Sequence, residues 1–277
     1  MNKTPLISVI MPIYNDHLFL DMAIQSILEQ TYNDFEFIIC DDGSTNGKTL
    51  EIINKYLHDK RIVFVQNQKN LGLPSSLNKC ISIARGKYIA RMDGDDISKR
   101  VRFDKQVAYL EKNKNVGAVS SFADIIDEND TNVGLISNPL IPSFKEVLEK
   151  VRFVHPASMF RKEALISVGM YSTEPEVLIG RCEDYDLWCR LYENGAECHN
   201  LEESLILYRE VSDSYKKRKR KAFKYSRKVK KSWMKKHKEA HPSKKVLIIS
   251  FVQRIIPSRI AFALHKRKLK KSKNKLK

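Results

Sequence analysis

Asp93, Gly94, Asp95 and Asp96 set three carboxylates around one glycine, directly after the apolar run Tyr88 to Met92. Like charges this close raise one another's pKa, and a strand end that concentrates them usually holds a cation to neutralise them. The chemistry indicated is an Asp-x-Asp site for Mg²⁺ or Mn²⁺ carrying a phosphate. An isolated Asp-x-Asp is more often a solvated turn, because turns favour Asp and Gly, so the surrounding elements must decide. Two further acidic pairs stand out. Asp41-Asp42 follows the apolar run Phe35 to Cys40, and its plain alternative is a cap on the helix beginning near Asn46. Glu183-Asp184 precedes Tyr185, Leu187, Trp188 and Leu191 at helical spacing, which puts the pair at a helix start, where acids are favoured by the dipole alone.

The elements that would position these acids alternate along the chain. Ile7 to Met11 is a short apolar strand stopped by Pro12, and Leu18, Met22, Ile24, Ile27 and Leu28 follow at helical spacing. Phe35 to Cys40 is a second strand, with Leu50, Ile53 and Leu57 marking the next helix. Ile62 to Val65, the helix Leu77 to Ala84, and the strand Tyr88 to Met92 complete the series. Short, wholly apolar strands separated by helices predict an α/β fold, with a mostly parallel sheet covered on both faces and ligands at the carboxyl ends of its strands. All the polar clusters up to Asp96 sit at such ends. The body shows no repeats and no Gly/Ser-rich linker.

The chain has 277 residues, 42% hydrophobic and 30% charged, enough for one sizeable core. No charged start with an apolar core and cleavage site is present, so export is not expected. Cys40, Cys80, Cys182, Cys189 and Cys198 are odd in number and never spaced Cys-x-x-Cys, which argues against a disulfide framework or zinc knuckle and for reduced structural thiols. Charge divides the chain into two parts. Residues 216–277 hold 26 Lys or Arg against Glu239 alone, a net +25; the whole chain carries +17, which leaves residues 1–215 at −8. An acidic body with a basic tail points to a polyanionic surface, nucleic acid or an acidic leaflet. A nucleic-acid-binding protein would explain the tail, but the body shows no RRM-like aromatic motif and no helix-turn-helix.

Five segments together carry a family resemblance: Pro5 to Asn15 (PLISVIMPIYN), Gln30 to Ser44 (QTYNDFEFIICDDGS), Asn70 to Gly86 (NLGLPSSLNKCISIARG), Tyr88 to Ile97 (YIARMDGDDI) and Cys182 to Leu191 (CEDYDLWCRL). In this order they resemble the successive motifs of family-2 glycosyltransferases over about residues 5–210. The resemblance implies a GT-A fold, Rossmann-like, with a nucleotide-sugar donor, a divalent metal (Mn²⁺ or Mg²⁺) and inversion at the anomeric carbon. Chemistry fits this reading. A uridine-type nucleotide needs an apolar or aromatic wall, an acceptor for its imide N–H and a cation for its diphosphate. Pro12, Tyr14 and Asn15 at the first strand end, and Asp41 or Asp42 at the second, are placed to supply the wall and partners. Asn70 and Gly72 precede a helix, where a small residue would let a ligand approach backbone N–H groups. The resemblance assigns Asp93 to ribose and metal and Asp95 to the metal itself; for Asp96 the expectation is instead a cap on the segment that follows. It assigns Asp184 as the base that takes the acceptor's proton, with Glu183 orienting the acceptor or acting in its place. His155 to Arg161 resembles the segment lining the acceptor side. The family's Pro-x-Arg corresponds to Arg100, Val101 and Arg102, so the proline is missing. Near Tyr208-Arg209 the family adds a histidine and serines over the diphosphate; here there are Ser212 and Ser214 without a histidine.

Two domains are therefore expected, a GT-A unit over residues 1–215 and a basic amphipathic helical tail over 216–277. Bacterial members with MDxDD and a basic tail resemble enzymes extending lipid-linked surface polysaccharides. This implies UDP-hexose or UDP-N-acetylhexosamine as donor, with GDP-mannose or dTDP-rhamnose as alternatives, and a glycan or lipid-linked acceptor. An inactive nucleotide-sugar-binding protein would have lost an acid, whereas Asp93, Asp95 and Asp184 are all present. In the tail, Ala222, Tyr225, Val229 and Trp233 form a narrow apolar stripe among lysines. Val246 to Leu264 is more apolar, but Arg254, Pro257 and Arg259 lie near its centre, and burying each guanidinium would cost roughly 2.5–3.5 kcal/mol. The expected location is peripheral, on the cytoplasmic face of the membrane, against anionic lipid. Packing of the stripe on the body or on a second subunit, as in a homodimer, is the alternative.

Overall fold

The computed structural model describes residues 4–211, 220–243 and 245–248. Strands β1 (Ile7–Ile13), β2 (Phe35–Asp41), β3 (Ile62–Gln66) and β4 (Tyr88–Arg91) are parallel and lie in the order β3-β2-β1-β4. Helices α1 (Leu20–Leu28), α2 (Gly47–Asn54) and α3 (Leu73–Ile83) alternate with them. Every residue of β1 and β2 is buried. Side chains of alternating direction explain this: Val9, Met11, Phe37 and Ile39 pack with Leu20, Ile24 and Phe103 on one face, while Ile10, Ile38 and Cys40 pack with Leu77, Cys80 and Trp188 on the other. The two clusters are the two halves of the core.

Pro12 does not stop β1, which continues to Ile13. The Ile13 carbonyl accepts from Asp42 N–H on the β2 side, and the Ile10 carbonyl accepts from Met92 N–H on the other, so Pro12 faces the β4 side. The ladder with β4 ends at Ile10, and the missing N–H of Pro12 therefore forfeits no strand bond. The cap on α2 is Asn46, whose Oδ1 accepts from Thr49 N–H at 3.0 Å, and Asp41 and Asp42 are left for other work.

Beyond β4 the sheet turns mixed. β8 (Met159–Arg161) is antiparallel to β4, β6 (Val116–Ile126) is antiparallel to β8, β9 (Glu197–Arg209) runs parallel to β6, and β5 (Ile97–Ser98) and β7 (Asn132–Ile136) pair antiparallel with β9 and β6. Helix α4 (Arg102–Lys112) covers one face. Four more helices close the other end: α5 (Phe144–Glu149), α6 (Lys162–Ser167), α7 (Pro175–Gly180) and α8 (Glu183–Glu193). All five cysteines are buried and free.

Helix α9 (Arg220–Lys236) lies beyond the expected boundary at residue 215, yet it packs on the body. Val229, Trp233 and Met234 are buried in the cluster that holds Trp188. Trp233 Nε1 donates to Asp186 Oδ1 at 3.0 Å, Lys230 Nζ donates to the Glu149 carbonyl at 3.1 Å, and Lys228 pairs with Glu176. The stripe expected on a membrane thus has a partner at Val229 and Trp233, because α5, α7 and α8 offer apolar surface and counter-charges together. Among the described residues no helix is long and apolar enough to cross a membrane. Arg254, Pro257, Arg259, Ser212 and Ser214 lie outside the described residues.

Candidate active site

A cleft of 730 Å³ opens at the carboxyl ends of β1 and β2, within the size range of small-molecule sites. Pro12, Tyr14, Asp42, Asn70 and Gly72 line it, as their places at strand ends require. Tyr14 is 47% exposed, an aromatic face available to a flat ring. Asp42 is buried and organises the floor: Oδ1 accepts from Asn67 Nδ2 and Leu71 N–H, both at 2.8 Å, and Oδ2 accepts from Gly72 N–H at 2.9 Å. Three of about four lone-pair sites on the carboxylate are used, leaving one for a ligand donor. The N–H groups of Leu71 and Gly72, which the sequence offers to a ligand, are spent on Asp42. Glycine at 72 answers a backbone need, φ +88°, in the left-handed region.

Asp41 and Asn15 stand outside the lining. Asp41 is buried and accepts from Gln66 Nε2 at 3.0 Å and from Ser44 N–H. Asn15, at φ +54°, takes Thr45 N–H and Asn46 N–H on its amide oxygen at 2.9 and 3.1 Å. Both side chains hold the loop before α2.

The acid cluster lies at the end of β4. Carboxylate oxygens of Asp93, Asp95 and Asp96 fall within 4.8 Å of one another. Burial first, then Asp93 and Asp16, push Asp95 up to about 7. Burial, then Asp93 and Asp95, raise Asp96 well above the carboxylate range. The buried Asp96 Oδ2 has no hydrogen-bond partner. Hard oxygens crowded at this spacing, with a buried acceptor unsatisfied, fit a divalent cation, which would favour the ionised forms of Asp95 and Asp96. The Asp96 Oδ1 bonds not the segment that follows it but a distant strand, accepting from Arg209 N–H at 2.8 Å. Arg209 also clamps the loop through Nε to the Asp95 carbonyl at 2.9 Å and through an ion pair with Asp130 at 2.6 Å.

Arg91 is the charge that links this cluster to the rest of the site. It is only 3% exposed, and its guanidinium pairs with Asp93. Beneath it, Arg102 Nη2 donates to the Arg91 carbonyl at 2.9 Å and the Ser158 carbonyl at 3.2 Å, so Arg102 supports the strand end although the proline before it is missing. His155 Nε2 and the Tyr171 hydroxyl are 2.7 Å apart, and burial, then Arg91, hold His155 well below the usual histidine range. Burial raises the Tyr171 hydroxyl, Arg91 opposes the shift, and Glu183, Asp184 and Asp93 add to it. The charges of the acid cluster and of the Glu183-Asp184 pair thus both act on Tyr171.

Glu183 and Asp184 occupy the first turn of α8. Glu183 lines the cleft, and burial, then Asp184, push it up to about 7. Asp184 Oδ1 accepts its neighbour's Tyr185 N–H at 2.6 Å. A carboxylate raised to this range is suited to proton transfer at neutral pH.

The sequence profile of glycosyl transferase family 2 matches residues 8–169. The chain is a family 2 glycosyltransferase. Among its relatives, this glycosyltransferase is 41% identical over 231 residues to EpsE of Bacillus subtilis, a protein assigned to the glycosyltransferases, covering 82% of this chain and 80% of that one. It is 30% identical over 223 residues to an Escherichia coli UDP-Gal:alpha-D-GlcNAc-diphosphoundecaprenol beta-1,3-galactosyltransferase, covering 78% of each. The fold also matches a Pyrobaculum calidifontis mannosyltransferase solved with GDP-Man and Mn²⁺, at TM-score 0.65 and 16% identity, over 98% of this chain and 84% of that one. The glycosyltransferase thus has the expected GT-A architecture, with the sheet curled from parallel to mixed across its acid cluster.

Three basic residues of the cleft and cluster have no role in the sequence reading. Arg91 was legible as a charge inside an apolar strand, which is stable only when paired. Arg181 and Lys221, which also line the cleft, gave no local signal; Lys221 is one lysine among many in the tail.

Proposed function

We propose that this glycosyltransferase is a metal-dependent, inverting enzyme that moves a sugar from UDP-hexose or UDP-N-acetylhexosamine to a hydroxyl of a lipid-linked glycan in surface polysaccharide synthesis. The carrying observation is the cluster of Asp93, Asp95 and Asp96, with carboxylate oxygens within 4.8 Å of one another, at the end of the strand beside β1, whose own end lines a cleft with Asp42 and Glu183. The E. coli relative's UDP-galactose donor and diphosphoundecaprenol acceptor support the donor and acceptor classes.

In this reading the nucleobase lies against Pro12 and Tyr14, and the remaining lone pair of Asp42 accepts its imide N–H. Asp93 and Asp95 hold Mn²⁺ or Mg²⁺, with Asp96 close by. When bound, the ion supplies Lewis-acid stabilisation of the charge on the departing diphosphate. Arg91 pairs with Asp93 and holds it in place. Asp184 takes the proton of the acceptor hydroxyl, while Glu183 orients the acceptor or takes the proton in its place. Attack from the side opposite the leaving nucleotide inverts the anomeric carbon. The segment beyond residue 215, with its net +25, holds the enzyme at an anionic cytoplasmic leaflet.

A panel of UDP-, GDP- and dTDP-sugars with Mn²⁺, read as nucleotide release, tests the reading. Release from a UDP-sugar is expected. Absence of release from every donor, with nucleotide still bound, would leave an inactive binding protein and overturn the proposal.

A further inference from the structure

The strand ends make only one wall of the cleft. Facing them are Leu178, Ile179 and Arg181 at the end of α7, with Lys221 and Ala222 from the start of α9. A close helix crossing fixes this second wall. A Cβ on Gly180 would lie 2.8 Å from Ser226 N and 2.9 Å from Cys182 Sγ, so only glycine lets the α9 backbone come this near. Further along α9, the Lys228–Glu176 pair and the Trp233–Asp186 hydrogen bond hold the same orientation. Arg181 follows Gly180 directly, at φ +49°, and Lys221 stands just over one turn before Ser226.

The side chains of Arg181 and Lys221 are exposed, and neither has a hydrogen bond or ion pair among the described residues. No acid of the lining forms an ion pair with them: Asp42 bonds Asn67, Leu71 and Gly72, and Glu183, although Arg181 acts on it, is raised overall by burial and Asp184. Two cations with no ion pair among the described residues therefore line a cleft that also holds an exposed tyrosine, apolar side chains, Asn70, Glu183 and one spare carboxylate acceptor on Asp42. A ligand matching all of these has a flat ring at one end and a polyanion at the other.

We propose that Arg181 and Lys221 grip the diphosphate of the nucleotide donor, which makes the basic helix α9 part of the nucleotide site. The inference rests on the nucleotide-donor reading above and goes beyond it, because it couples the C-terminal segment to donor binding. Arg181 supplies a planar fork for two phosphate oxygens and Lys221 a compact charge.

Calorimetric titration of the full-length protein with UDP and with uridine, in Mn²⁺ and again in EDTA, tests it. The double variant Arg181→Ala/Lys221→Ala is expected to bind UDP at least about tenfold more weakly, the range for hydrogen bonds to charged groups, in both buffers. Its uridine affinity should stay within about twofold of wild type, since both cations act on phosphate. Lys224→Ala, on the same helix but outside the lining, should bind both ligands as wild type does. Unchanged UDP affinity in the double variant overturns the inference. So does an equal loss of uridine and UDP, which would report a deformed cleft. A wild-type protein that binds neither UDP nor uridine would instead defeat the donor reading, and the diphosphate grip would fall with it.

Discussion

Glu183 and Asp184 share the first turn of α8 but have different surroundings. Glu183 stands in the cleft wall, raised to about 7, while Asp184 takes the Tyr185 N–H. Asp184→Asn should keep UDP affinity and lower kcat by about 10²-fold or more, the usual range for a lost general base; calorimetry and steady-state rates measure the two halves, and a nearly unchanged rate moves the role to Glu183. Glu183 has its own signature in stability. Its folded pKa, about 7, exceeds the 4.5 of the free group, so between these values the folded state binds more protons than the unfolded one. Stability is therefore lost as pH rises from about 4.5 to about 7 and is flat above. Glu183→Gln should melt higher than wild type at pH 8, by about 2–4 °C for each kcal/mol recovered, and should not gain at pH 4; an identical difference at both values would refute the shift. At this scale much of the site was legible, because the acids sit at strand and helix ends that the hydrophobic pattern marks. The loop role of Asn15 and the engagement of the Leu71 and Gly72 N–H groups by Asp42 were not, since each depends on a partner from another part of the chain.

Among the elements, α9 departs most from its reading. Its stripe looked like a membrane face because a basic amphipathic helix carries no mark of what covers it. The partner surface, Trp188 and the acids Glu176, Asp186 and Glu193, comes from helices some forty residues or more away, and only tertiary packing reveals it. Trp233→Ala should lower unfolding free energy by about 3 kcal/mol or more, since it leaves a cavity and strands Asp186 Oδ1; a denaturant midpoint within error of wild type would show that α9 contributes no core. Gly180→Ala should weaken UDP binding without altering any residue of the cleft lining, by pushing α9 away at Ser226. The parallel half, β1 to β4, was legible because each strand is a short, mostly apolar run and a helical pattern separates it from the next. The pairing of β6 with β9 was not: it joins residues about eighty apart, and nothing local specifies that register.

For the whole molecule, the split of charge has two consequences. The body, at −8, concentrates acids at its site, and the segment beyond residue 215, at +25, carries cations in excess of what the described ion pairs consume. Full-length protein should sediment with anionic vesicles at low salt and be released as salt rises, because each cation near an anionic surface contributes about 1 kcal/mol and is screened within a Debye length. Protein remaining in the supernatant at low salt would remove the membrane from the account. Removal of residues 216–277 should do more than abolish vesicle binding, since it also takes Trp233 from the core and Lys221 from the cleft. The Asp93–Asp96 cluster is proposed to work through a divalent cation on a nucleotide-sugar donor. Its most direct test is UDP release from the donor that the panel selects, by wild type and Asp95→Asn, each in Mn²⁺ and in EDTA. Wild type is expected to release UDP in Mn²⁺, to stop in EDTA and to recover on adding Mn²⁺ or Mg²⁺, and a folded Asp95→Asn is expected to release almost none in either buffer. Full release in chelator, or an Asp95→Asn enzyme as fast as wild type, would contradict it.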